Sequence, residues 1–113
     1  MRSDAALLLD MLIAGEKIER FVGELDQDQF EKSELHQSAV IRELQVLGEA
    51  ARQVSEVTRT AHPEIEWVTI IGMRNRVVHE YFRIDFDLMW RTLQEDIPVL
   101  VERLKPLIPP ETE

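Results

Sequence analysis

Cysteine is absent from the 113 residues, which excludes a disulfide framework and a thiolate metal site and makes a reducing cytoplasm the expected home. Glycine and proline are scarce, at four and five, so there is little room for long loops or many strands. The most apolar run near the start, Ala5-Ala6-Leu7-Leu8-Leu9, is short and set among Asp4, Asp10 and Glu16. Neither a signal segment nor a membrane span is expected from it. Basic residues are also few, 13 against 22 acidic, giving a formal charge of −9. That balance opposes indiscriminate binding to nucleic acid. It is relieved locally, because residues 74–91 carry four arginines (74, 76, 83, 91) and three acids (80, 85, 87).

What remains is 44% apolar and 31% charged, the balance of a folded domain of ordinary size. Ser3 or Asp4 can cap a first helix running to about Val22 and stopped by Gly23. Its apolar band, Leu7, Leu8, Met11, Leu12, Ile13, Ile18, Phe21 and Val22, is wider than one stripe. It predicts burial on two sides, in mid-bundle or against a second subunit. Glu24 to Lys32 reads as a connection with a short turn around Phe30. Val40, Leu44, Leu47, Ala51 and Val54 then alternate by four and three, the seam of a long helix from about Ser33 to Val57, with Gly48, Ala50 and Ala51 admitting a close neighbour.

The pattern is lost over Thr58 to His62, and Pro63 marks a connection. A shorter helix from about Glu66 carries Trp67, Ile70, Ile71, Val77 and Val78 inward. Asp85 caps a last helix that Pro98 should kink by removing a ladder hydrogen bond. Residues 1–105 form one domain, and Pro106 to Glu113 a frayed tail. The fold class is all-α, an antiparallel four-helix bundle with a short motif-bearing helix.

Polar, chemically able side chains interrupt this scaffold at Arg74-Asn75-Arg76-Val77-Val78-His79-Glu80-Tyr81. Arginine forks onto phosphate oxygens, and histidine can take and return a proton near neutral pH. If residues 67–81 are helical, Asn75 and His79 share a face and the amide can orient the imidazole. Arg74 and His79 then diverge by roughly 140°, which suits a helix end or a groove between two copies better than a mid-helix pair. Arg76 lies on another face, as a phosphate or partner contact or a solvated charge. A metal site from Glu80, Asp85 and Asp87 is a poor cage, since Asp85 is better explained as a cap. No metal or cofactor is expected, and His36 and His62 read as structural.

Arg74, four residues, His79, one residue, Tyr81 resembles the R-x4-H-x-Y signature of the HepT-like toxin family within the HEPN superfamily of ribonucleases. The resemblance extends over Ala39–Arg42, Leu47–Ala51, His62-Pro63, Trp67, Ile70–Asn75 and Val77–Phe82, and covers roughly residues 4–105. It implies the toxin of a toxin–antitoxin system, a metal-independent endoribonuclease acting on RNA, with tRNA the expected substrate. His79 would be the general acid/base and Arg74 would steady the phosphate. It further implies a homodimer whose copies share one cleft, and a cognate nucleotidyltransferase antitoxin that AMPylates Tyr81. Substrate stacking and bundle packing stay open for Tyr81. The alternative is a non-catalytic helical module that docks the nucleotidyltransferase.

Overall fold

The structure is a computed structural model and describes residues 2–109. Ser3 accepts a hydrogen bond from the Ala6 N–H through its side chain, satisfying a donor that a helix start leaves open. Helix α1 (Asp4–Val22) follows. Within the expected connection, Asp26 and Gln29 form a reciprocal capping box that starts α2 (Gln27–Glu31) and drives Phe30 fully into the core. Ser33 caps α3 (Glu34–Gln53), α4 spans Glu56–Ala61 and α5 spans Trp67–Val77. Asp85 caps α6 (Phe86–Arg91), which continues through a π-helical turn at Thr92–Asp96 into α7 (Ile97–Leu104).

The main helices form a bundle in which α3 packs between α1 and α5, and α1 between α3 and α7. This is the two-sided burial anticipated for α1, and Leu9 and Ile13 remain partly exposed on its outer side. At Gly15 the α1–α7 approach is so close that a Cβ would lie 2.8 Å from the Val101 side chain. The buried seam includes Met11, Ile18, Leu44, Leu47, Met73, Val77, Met89, Ile97 and Leu104, and each large apolar side chain contributes about 1.5–3 kcal/mol by leaving water. No described helix is long and apolar enough to cross a membrane.

Three boundaries depart from the sequence reading. The seam helix ends at Gln53 instead of Val57, and residues expected to lose helical order form α4. The cause is polar: Val54 turns extended, Ser55 caps α4, and the Asp4 carboxylate accepts from the Ser55 N–H at 3.0 Å and from the hydroxyls of Ser55 and Thr58. Secondly, the break near Pro98 takes the form of the π turn. Proline has no N–H for the Gln94 carbonyl, and the Ile97 N–H reaches back five residues to Thr92. Thirdly, α5 stops at Val77, four residues short of the expected end. Beyond Leu104 the chain makes a 3-10 turn, Lys105–Leu107, and Leu107 and Ile108 pack on the core. The last part of the predicted tail, residues 110–113, lies outside the described residues.

The Asp4 cluster makes a pH prediction. Hydrogen bonds from the Ser55 hydroxyl, then the Thr58 hydroxyl and the Ser55 amide, hold its carboxyl below the ordinary range. A depressed folded value adds stability that is fully present above the unfolded value, about 3.9 for aspartate, and is lost as the pH falls through the folded one. Asp4→Asn should therefore lower Tm near neutral pH. Thermal melts of both proteins from pH 7 to pH 2.5 should show the gap closing at the acid end, and a gap independent of pH would contradict the assignment.

Candidate active site

The site is built where α5 ends. Val78 is extended and buried, and forms an isolated antiparallel bridge with Ile84. The His79 N–H donates to the Arg83 carbonyl at 2.7 Å, and the Asp85 N–H donates to the Val77 carbonyl at 2.8 Å. These bonds close a loop around the turn Glu80–Phe82. Consecutive β-branched residues at 77 and 78 favour leaving the helix once Ile84 offers a pairing partner. The shared helical face expected for Asn75 and His79 therefore does not form. The helix end, the other arrangement that the Arg74–His79 divergence allowed, is what the chain adopts.

Tyr81 sits at the tip with φ 58° and ψ 29°, the one non-glycine residue with positive φ among those described, and its side chain is 91% exposed. A left-handed tyrosine costs about 1–2 kcal/mol, and such strain persists only where surrounding bonds enforce it. The loop-closing bonds supply that enforcement. His79 is exposed, and with Glu80, Tyr81 and Arg83 it lines an open hollow of about 290 Å³.

Arg74 and Asn75 lie on α5 and face α3. The Arg74 Nη1 donates to the Asn75 Oδ1 at 3.2 Å, while its Nε is buried without a hydrogen-bond partner. Asn75 thus engages the arginine of the motif, not its histidine. Arg74 borders two hollows: a polar one of about 360 Å³ with Gln45, Glu49 and Arg52, and a wider one of about 600 Å³ with Ser38, Arg42 and Ile84. Neither includes His79. One copy therefore brings His79 and Tyr81 together at the loop, and Arg74 and Asn75 together at the α3–α5 seam, while Arg76 is exposed and borders neither set of hollows. Arg83, two residues beyond the motif, joins the His79 hollow. Its position in the arginine-rich stretch was the available signal for it.

The basic side chains divide into paired and unpaired ones. Arg2, Lys32, Arg42, Arg52 and Lys105 are each paired with a carboxylate at 2.7–3.2 Å. Among the described residues Arg74, Arg76 and Arg83 have no such partner within 4.0 Å, and neither do Lys17, Arg20, Arg59, Arg91 and Arg103. Among the same residues no three histidine, aspartate or glutamate side chains gather in a way that could hold a metal ion. Asp85 accepts from the Leu88 N–H at 3.1 Å as a helix cap. His36 Nδ1 lies 2.6 Å from the Ser33 hydroxyl, and His62 Nδ1 lies 3.5 Å from Glu64.

Residues 11–107 match the model of the family described as "Ribonuclease HepT-like". The chain is 37% identical over 106 residues to the "Probable ribonuclease HepT" of Thermococcus cleftensis, covering 94% of this chain and 96% of that protein. It is 32% identical over 104 residues to the "Putative RNase MJ1380" of Methanocaldococcus jannaschii, covering 92% and 95%. No solved structure matches the chain significantly. With the motif at the end of α5 and a family match over most of its length, the chain belongs to the HepT-like ribonuclease family.

Proposed function

We propose that the protein is the toxin of a toxin–antitoxin pair, an endoribonuclease that cuts RNA, with tRNA as its substrate and without a metal ion. The observation that carries this reading is an exposed His79 at the end of α5 that shares its hollow with Arg83, in a stretch that also bears Arg74 and Arg76, on a chain whose net charge is −9. Local positive charge on an acidic body favours brief, selective contact with a polyanion over tight coating. His79 takes the proton of a 2′-hydroxyl as that oxygen bonds to the adjacent phosphorus. The bond from phosphorus to the 5′-oxygen breaks, and that oxygen leaves protonated. Arg74 balances the charge growing on the phosphate oxygens.

A single chain offers one such histidine, and its Arg74 borders other hollows. A homodimer in a shared cleft supplies a second histidine, so that one acts as base and the other as acid. The exposed Tyr81 hydroxyl suits control by a nucleotidyltransferase antitoxin. It attacks the α-phosphorus of ATP, pyrophosphate leaves, and the attached AMP places negative charge and bulk two residues from His79. The separation of Arg74 and His79 within one chain is also what favours the second reading, a binding module that docks the nucleotidyltransferase without cutting RNA.

Protein made without any antitoxin should cleave a tRNA pool, and His79→Ala should cut roughly 10²–10⁴-fold more slowly. Because His79 is exposed, the variant should melt within about 0.5 kcal/mol of the parent. Equal cutting by both proteins would place the chemistry elsewhere, and no cutting by either would select the binding module.

A further inference from the structure

Resting on the ribonuclease reading and going beyond it, we infer that Gln45 is a substrate-binding residue that holds the nucleotide attached to the phosphate taken by Arg74. The polar hollow and the wider one beside Arg74 share two lining residues, Arg74 and Gln45. The two side chains therefore stand on facing helices, at the saddle where the hollows meet. Gln45 also borders a third hollow of about 460 Å³ between α1 and α3. A strand crossing this surface passes both residues. Each volume is on the scale of a site for a small organic ligand, roughly 300–1,000 Å³.

The state of the amide supports the assignment. Gln27 bonds Glu31 and Asp87, Gln29 completes the capping box, Gln37 donates to the carbonyls of Phe30 and Glu31, and Gln53 donates to that of Glu49. Gln45 and Gln94 are both exposed with no side-chain hydrogen-bond partner among the described residues, and of the two it is Gln45 that borders the hollows of Arg74. An amide presents two N–H donors and a carbonyl acceptor on one plane. Phosphate accepts only, so arginine alone satisfies it, whereas a base edge or a 2′-hydroxyl both donates and accepts. Arginine for the phosphate and an uncommitted amide beside it make a pair that recognises a nucleotide.

Gly48 keeps the place open. One turn along α3, it brings α5 so near that a Cβ would lie 3.2 Å from the Ile71 carbonyl. It therefore fixes how far apart the helices that carry Gln45 and Arg74 stand. A larger residue there would fill the polar hollow and push α5 outward.

The test is steady-state cleavage, by the full chain, of a panel of short RNA oligonucleotides differing in the base on either side of the cut, with Gln45→Ala, Gln45→Asn and Gln45→Glu beside the parent. Loss of one or two hydrogen bonds predicts KM raised roughly 3- to 10-fold in Gln45→Ala with kcat within about threefold. The parent's base preference should flatten in that variant and be partly kept in Gln45→Asn. Gln45→Glu should bind most weakly, because a carboxylate repels phosphate. A merely structural role would leave base preference unchanged. Cleavage by the parent with unaltered KM and base preference in all three variants would overturn the role of Gln45 alone. No cleavage by the parent of either the oligonucleotides or a tRNA pool would overturn the ribonuclease reading and this inference with it.

Discussion

Arg74→Met is expected to lower RNA cleavage by roughly 10²–10³-fold while leaving Tm unchanged or raising it by several degrees. The two signs have separate causes. In the proposed reaction Arg74 supplies the guanidinium that meets the phosphate, and methionine supplies no charge. Yet the Arg74 Nε is a buried donor without a partner, and such a group costs about 1–3 kcal/mol. Methionine keeps much of the aliphatic packing and removes that donor. Its loss includes one bond to Asn75 at 3.2 Å, made at an exposed position. A net gain of about 1 kcal/mol corresponds to roughly 4–8 °C in a domain of this size. Activity and thermal melting on the same preparations check both halves. A variant that loses activity and also melts much lower would show that Arg74 is there to hold the fold.

Phe30→Ala is expected to be the most costly single change to stability, about 3–5 kcal/mol against a total of roughly 5–15 kcal/mol for a domain. Phe30 is fully buried, edge-on to Phe86 with ring centres 6.3 Å apart, and tilted against Trp90 at 5.8 Å. It stands on a five-residue helix with little stability of its own, so the ring holds α2 in place more than the helix holds the ring. Its partners belong to α6, whose cap Asp85 also donates its N–H to the end of α5. The loop bearing His79 is thereby tied to the core that Phe30 fills. Urea unfolding should show the drop, with Phe30→Leu recovering part of it, and cleavage by Phe30→Ala should fail at a temperature where the parent still works. A change under 1 kcal/mol would mean that the contacts around Phe30 do little to hold the bundle.

How much of the fold and the site is legible in the amino-acid sequence depends on the length scale of the cause. The seam of α3 and the inward side of the last helix follow from periodicity, because burying one face of a helix is a property of spacing. Ser3 and Asp85 are readable as caps for the same local reason. The break after Gln53 is not, since it depends on a carboxylate from residue 4 reaching residue 55. The early end of α5 is likewise hidden, because it needs Ile84 to pair with Val78 across the loop. Of the site, Arg74, His79 and Tyr81 stand out by residue type and spacing. Gln45 carries no local signal, because its significance comes from facing Arg74 across two helices.

The proposed activity is cleavage of RNA by 2′-hydroxyl attack without a metal ion. Its most direct test is to incubate antitoxin-free protein with tRNA in excess EDTA and to identify the ends of the fragments. The chemistry assigned to His79 and Arg74 predicts undiminished cutting, with 2′,3′-cyclic phosphate on one side of each break and a 5′-hydroxyl on the other. Cutting abolished by EDTA and restored by a divalent cation, or fragments bearing 5′-phosphates, would contradict it.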